Sequence, residues 1–85
     1  MLKKRLPETL FTYPETAIAF GNNFRQVRRK QGMTQDDLAL EAEVERSTIV
    51  RIESAKMNAS LDMILVLSKA LGVHPRELFD FSLTE

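Results

Sequence analysis

The stretch QGMTQDD (residues 31–37) carries a stop signal and a start signal for helices within three residues. Gly32 suits the left-handed backbone position that follows a helix C-terminus. Thr34 is a good N-cap residue, and Asp37, three positions later, completes a capping box. The stretch therefore predicts two helices joined by a tight turn, which favours a compact helical fold.

Similar signals recur along the chain, whereas strand signals are sparse. Ser60 and Gly72 bracket a fourth helical segment, and His74 followed by Pro75 opens a fifth. We therefore predict an all-α fold, a compact five-helix bundle. Its helices are expected at about 15–31, 34–42, 46–54, 61–71 and from 75 onward. The predicted domain covers residues 14–80, between an N-terminal arm (1–13) and a C-terminal tail (81–85).

Composition excludes several classes of function. The chain has 85 residues, no cysteine, a single histidine (His74) and three glycines. These numbers leave little for a disulfide framework, a metal cluster, a catalytic triad or a glycine-rich phosphate loop. We therefore expect neither an enzyme nor a cofactor or metal site. No signal peptide and no apolar run of about twenty residues is present, so a cytoplasmic protein without a membrane span is expected.

The charges balance in number but not in position. Twelve basic residues match twelve acidic ones, unlike the strongly basic composition typical of nucleic-acid binders. However, the acidic run DDLALEAEVE (36–45) directly precedes RSTIVR (46–51), and a local basic patch remains compatible with this arrangement. Net charge is therefore only weak evidence against DNA binding.

Helical spacing divides the third helix into two faces. Thr48, Ile49 and Ile52 share the face expected to be buried. The opposite face is polar and carries two arginines: Arg46, Ser47, Val50, Arg51 and Ser54.

Three segments, RRKQGMTQDDLA, STIVRIE and SLDMILVLSKALGV, occur in an order that resembles the Cro/C1-type (xenobiotic-response-element) helix-turn-helix family. The resemblance spans residues 21–79. It implies a lambda-repressor-like DNA-binding domain whose second helix crosses the DNA backbone and whose third helix enters the major groove. It also implies a structural ion pair between Arg28 and Glu53. The positions implied to contact DNA are Gln35, Arg46, Ser47, Val50, Arg51, Ser54, Lys56 and Asn58.

Two positions depart from the family pattern. Glu43 stands in the turn between helices two and three, where glycine is usual because the backbone is often left-handed there. Ser54-Ala55 replaces a pair that commonly includes a basic residue. Both departures affect individual contacts more than the fold.

The side chains implied to contact DNA also have simpler interpretations. Arg46 and Arg51 could pair with guanine edges, or could simply be solvated surface arginines. Val50 could contact a thymine methyl group, or be an exposed apolar residue without a role. Gln35 and Ser47 could contact DNA or face solvent.

The fourth helix is apolar nearly all round, which predicts burial on two sides. Leu61, Ile64, Leu65, Ser68 and Leu71 are expected to face the core, with Leu67 beside them. The other side would be covered either by the chain's own LFTY (10–13) or FDFSL (79–83) segments, or by a second subunit. We favour a two-fold dimer interface built from Met63, Val66, Leu67, Phe81 and Leu83.

Together these features predict a sequence-specific, double-stranded-DNA-binding transcriptional regulator, acting as a homodimer on an inverted-repeat operator. Restriction–modification controller proteins and antitoxins have similar sizes, and the sequence does not choose between these two and an ordinary small repressor. A different class also remains open. In that class the helix-turn-helix scaffold would serve as an interaction module whose acidic second helix binds a protein partner, such as a toxin or RNA polymerase.

Overall fold

A computed structural model describes residues 13–82 of the chain. It contains four α-helices, which are Tyr13–Lys30 (α1), Gln35–Ala42 (α2), Arg46–Glu53 (α3) and Leu61–Leu71 (α4), followed by a 3₁₀ helix at Pro75–Phe79. No strand occurs in this part of the chain. The predicted all-α class is therefore confirmed, but the fifth helix is a short 3₁₀ helix. It has five residues, slightly more than most such helices, and His74 Nδ1 caps it by accepting from the Arg76 amide (3.1 Å).

The helix ends follow the predicted signals closely. Thr34 Oγ1 accepts from the Asp37 amide (3.0 Å), and the Thr34 amide donates to Asp37 Oδ2 (2.9 Å), which completes the capping box. Ser60 Oγ caps α4, and Gly32 and Gly72 both adopt the left-handed conformation. Helix α1 begins two residues before the predicted start at residue 15.

The turn between α2 and α3 keeps its left-handed residue although glycine is absent. Glu43 has φ 57° and ψ 44°. The Val44 amide donates to Ala39 O (3.0 Å) and the Glu43 amide to Leu40 O (3.2 Å), which is the Schellman pattern. This conformation costs a non-glycine residue roughly 1–2 kcal/mol, so the remaining packing holds Glu43 in place.

The core lies where all five helices meet. Its fully or nearly fully buried apolar side chains are Phe24, Leu38, Ala39, Ile49, Ile52, Leu67, Leu71 and Leu78. The predicted inward face of α4 is confirmed at Ser68 and Leu71, which are buried. It was wrong at Leu61 and Leu65, which are 71% and 46% exposed, whereas Leu67, predicted beside that face, is fully buried. A helix that is apolar nearly all round has no polar face to define its orientation. Packing against α2 and the 3₁₀ helix decides it instead.

Helices α1 and α3 approach each other at Gly21. A Cβ atom on Gly21 would lie 2.6 Å from Ile52 O and 2.9 Å from Glu53 O, both backbone atoms. The missing side chain therefore allows the C-terminal end of α3 to lie directly on α1. This contact places Glu53 against the arginines of α1, where the candidate site begins.

Candidate DNA interface

The two faces of α3 are arranged as predicted. Ile49 and Ile52 are buried in the core and Thr48 is half-buried. On the opposite face Arg46, Ser47 and Arg51 are exposed and Val50 is half-buried. The face thus presents two guanidinium groups, a hydroxyl and a small apolar group, which are the side-chain types that contact base edges in a major groove.

The remaining predicted contact residues surround this face at the ends of neighbouring segments. Gln35 is the first residue of α2 and is half-buried, whereas Lys56 and Asn58 are exposed in the loop that follows α3. Ser54 is the C-cap of α3, and its Oγ donates to Val50 O (2.8 Å). The hydroxyl hydrogen of Ser54 is thus used within its own helix, leaving its oxygen lone pairs as the remaining bonding capacity.

The ion pair implied between Arg28 and Glu53 is present and buried. Arg28 Nε lies 2.6 Å from Glu53 Oε2, and Arg28 Nη2 donates to Glu53 Oε1 (3.0 Å), a bidentate arrangement. Arg28 Nη1 also donates to Met33 O (2.8 Å). Burial alone would raise the pKa of the Glu53 carboxyl. Hydrogen bonds from Arg28 and Gln35, with the charges of Arg28 and Arg25, lower that pKa below its ordinary value.

Glu53 has two further partners that the sequence interpretation did not identify. Arg25 Nε lies 3.4 Å from Glu53 Oε1, and Arg25 Nη2 donates to Glu53 O at the end of α3 (2.9 Å). Gln35 Nε2 donates to Glu53 Oε1 (3.1 Å). The spacing of Arg25 and Arg28 on one face of α1 is a signal that could have identified Arg25.

Arg46 is bound by two side chains of α2. Its Nη2 donates to Gln35 Oε1 (3.2 Å), and its Nε lies 3.2 Å from Asp36 Oδ1. The pairing depends on the angle between α2 and α3, which no local sequence pattern records.

The other acids of the run 36–45 are distributed around the motif. Asp37 belongs to the capping box, where hydrogen bonds from the backbone and side chain of Thr34 lower its pKa. Glu43 and Glu45 flank the start of α3 and are exposed. Glu45 is the N-cap of α3 but makes no side-chain capping bond there, as expected for glutamate.

The predicted dimer residues are only partly available on the surface. Val66 is 44% exposed, whereas Met63 is half-buried against the core. Phe81 is half-buried and packs edge-on against Phe20, with ring centroids 6.4 Å apart. Leu67 belongs to the chain's own core, so its assignment to an interface is corrected. Leu83 lies outside the described residues.

Residues 13–82 contain no group of three or more histidine, cysteine, aspartate or glutamate side chains that could hold a metal ion. No helix in the same range is both long and apolar enough to cross a membrane.

Comparison with known proteins supports the geometric assignment of α2 and α3. Residues 24–78 match HTH_3, a helix-turn-helix family. The chain belongs to this family of DNA-binding regulators. Within this helix-turn-helix protein, α2 and α3 are the two helices of the motif, and the exposed face of α3 is the face that carries Arg46 and Arg51.

Several relatives of this helix-turn-helix protein are control proteins. It is 46% identical over 66 residues to the control protein C.BamHI of Bacillus amyloliquefaciens, covering 76% of this chain and 82% of that protein. Among solved structures, the restriction–modification controller protein C.AhdI of Aeromonas hydrophila has a TM-score of 0.72 and 38% identity over 74% of this chain and 96% of that chain. The controller protein C.Esp1396I was solved as a tetramer with its natural 35-base-pair operator. It matches with a TM-score of 0.70 and 26% identity over 76% of this chain and 86% of that chain.

Proposed function

We propose that this protein is a homodimeric transcriptional regulator of the restriction–modification controller type, which binds an inverted-repeat operator in the cytoplasm. The similarity to C.BamHI and C.AhdI supports the controller type over an antitoxin. The observation that carries the proposal is the outer face of α3, where Arg46, Ser47, Val50 and Arg51 lie opposite the face that packs into the core.

This face has the chemistry needed for sequence-specific binding. An arginine can donate two hydrogen bonds to one guanine, which discriminates against other bases by about 1–3 kcal/mol. Val50 lies between the two arginines in the sequence and offers a surface for a thymine methyl group. Lys56 and Asn58 follow α3 and are exposed, so they are suited to the phosphates beside the groove. Gln35 is expected at the DNA backbone next to the start of α3.

The outer face of α4 supports self-association. Leu61, Leu65 and Val66 are exposed there, and Asp62 and Lys69 lie between them on the same face. If two copies pack with α4 antiparallel about an axis near Leu65 and Val66, Asp62 of one subunit faces Lys69 of the partner subunit. This surface replaces the one predicted from sequence, retaining Val66 and adding Leu61 and Leu65.

A dimer explains how so short a recognition helix can select a site. Helix α3 has eight residues and contacts few base pairs by itself. Two-fold pairing places two such helices about 34 Å apart, one turn of DNA, and thus doubles the sequence that is recognised. The operator is therefore expected to be an inverted repeat.

Selection from a random duplex library with the purified protein tests the proposal. We expect an enriched inverted repeat whose binding weakens steeply with salt, as phosphate contacts require. The double variant Arg46→Ala, Arg51→Ala should lose the sequence preference. Arg76→Ala removes an exposed arginine on the 3₁₀ helix, away from the motif, and should leave the preference unchanged. Failure to enrich any sequence would contradict the proposal.

One observation favours a protein partner in addition to DNA. Leu40 is 82% exposed on α2, among the exposed carboxylates of Asp36, Asp37, Glu41 and Glu43. Such a surface suits a partner with basic and apolar groups, such as a toxin or an RNA polymerase subunit. If binding a protein partner were the only function, the double variant Arg46→Ala, Arg51→Ala would bind that partner as well as the wild type does. The same variant therefore separates the DNA-binding function from the partner-binding one.

A further inference from the structure

Asp36, an exposed acidic residue in the first turn of α2, holds the side chain of Arg46. Arg46 Nε lies 3.2 Å from Asp36 Oδ1, and Arg46 Nη2 donates to Gln35 Oε1 (3.2 Å). Both contacts use the side edge of the guanidinium, where Nε and one Nη2 hydrogen point. The end edge, formed by Nη1 and the second Nη2 hydrogen, keeps its donors for another partner.

The Gln35 side of this arrangement is anchored in the protein interior. Gln35 Nε2 donates to Glu53 Oε1 (3.1 Å), and Glu53 is 3% exposed and paired with Arg28. A carboxylate only accepts hydrogen bonds and a guanidinium only donates them. The amide of Gln35 therefore has a single orientation that satisfies both neighbours, with its oxygen toward Arg46. The buried ion pair thus determines which atom Gln35 offers to Arg46.

We propose that Asp36 is a specificity-determining residue, which positions Arg46 so that the end edge of its guanidinium faces a base pair; this rests on the proposed function. The Asp36–Arg46 pair is exposed, with 78% and 60% of the two side chains accessible, and so contributes little to folding. Its effect is on the bound state, where DNA excludes water from the pair and a competing partner, the phosphate backbone, is present.

The charge of Asp36 has two consequences for binding. It repels phosphates near the start of α2, which lowers affinity for every sequence. It also occupies the edge of Arg46 that could otherwise pair with a phosphate, and thus leaves Arg46 directed at the bases. Removing the charge should therefore increase non-specific affinity and decrease base discrimination at the same time.

The test compares Asp36→Asn with Glu41→Gln in the full-length protein. Each variant removes one exposed carboxylate from α2, but Glu41 makes no contact with Arg46 among the described residues. Binding is measured to the selected operator, to a non-specific duplex, and to operators altered at the base pair whose preference Arg46→Ala abolishes. The wild type should bind the selected operator about tenfold or more tightly than an operator altered at this base pair.

For Asp36→Asn, we expect the discrimination between operator and altered operator to fall at least about threefold. Affinity for the non-specific duplex should rise about two- to threefold. Glu41→Gln should leave the discrimination unchanged. At operator positions whose preference Arg46→Ala leaves intact, Asp36→Asn should have no effect on discrimination, because Asp36 acts through Arg46. The inference is overturned if Asp36→Asn keeps full discrimination at the Arg46 base pair, or if it lowers discrimination equally at the positions that do not depend on Arg46. A wild type that shows no base preference would instead contradict the proposed function.

Discussion

Arg28 on α1 and Glu53 at the end of α3 form a bidentate ion pair, with Arg28 Nε 2.6 Å from Glu53 Oε2. Both residues are almost completely buried. The pair connects the long first helix to the helix that carries the base-contacting face. Since Gln35 also donates to Glu53, one carboxylate links α1, α2 and α3.

Glu53→Gln tests how much this ion pair contributes to the stability of the fold. The variant leaves Arg28 buried without its counter-charge, which we expect to lower the free energy of unfolding by about 3–5 kcal/mol. Glu41→Gln removes an exposed carboxylate and should change it by less than about 0.5 kcal/mol. Urea denaturation followed by circular dichroism gives both values. Similar unfolding midpoints for the two variants would contradict the assigned role of Glu53.

The same carboxylate predicts a loss of stability in acid. The pKa of Glu53 is lowered in the folded protein from its ordinary value of 4.5. Its stabilising contribution is therefore complete above about pH 4.5 and is lost as the pH falls through the lower folded-state pKa. Unfolding free energies measured between pH 7 and pH 3 should decline more for the wild type than for Glu53→Gln. Equal declines would show that Glu53 does not contribute.

Gly21→Ala tests the close contact between α1 and α3. The added Cβ atom would meet Ile52 O at 2.6 Å, and a backbone oxygen cannot move without shifting α3. We expect a loss of about 1–3 kcal/mol in stability, as in other overpacked sites, although alanine favours helices. Gln26→Ala, at an exposed position of α1, should be neutral or stabilising. A Gly21→Ala protein that is as stable as the wild type would disprove the contact.

Charge reversal on α4 tests the dimer. Asp62→Lys alone and Lys69→Asp alone each place like charges opposite one another at two symmetric contacts, which should weaken dimerisation by about tenfold. The double variant restores opposite charges and should recover the wild-type constant in sedimentation equilibrium. Circular dichroism confirms that each variant is folded. If the double variant is no better than the single ones, the antiparallel arrangement of α4 is wrong.

Glu45→Ser tests the effect of the acids beside α3. Serine removes a negative charge near the phosphates and supplies the side-chain cap that Glu45 lacks. Affinity for every duplex should rise about two- to threefold without a change in sequence preference. Glu45→Gln separates the effects, because it removes the charge without adding a good cap. Unchanged affinity in both variants would show that this carboxylate has no influence on binding.

Much of the local structure was predictable from the sequence because its causes are local. The capping box of Thr34 and Asp37, the Ser60 cap and the two left-handed glycines each depend on residues within a few positions. The two faces of α3 followed from helical spacing, since one side is apolar and the other polar. The Arg28–Glu53 pair was implied only by the family resemblance.

Other features were decided by packing over distance. The rotation of α4 could not be predicted because apolar residues occur nearly all round it, and the neighbouring helices selected Leu67 for the core while leaving Leu61 and Leu65 exposed. The left-handed backbone of Glu43 could not be predicted from its neighbours in the sequence either, because the packing of the surrounding helices determines whether this unfavourable conformation is maintained.

In the acidic run 36–45, some features follow from the local sequence and others from tertiary packing. The sequence alone determined that its first two carboxylates begin a helix and that its last two flank a turn, because caps and helix dipoles act within one helical turn. Only the tertiary structure decided that Asp36 would pair with Arg46, ten positions later in the sequence. Electrostatic pairs depend on distance in space, and the angle between α2 and α3 sets that distance through the packing of the whole core.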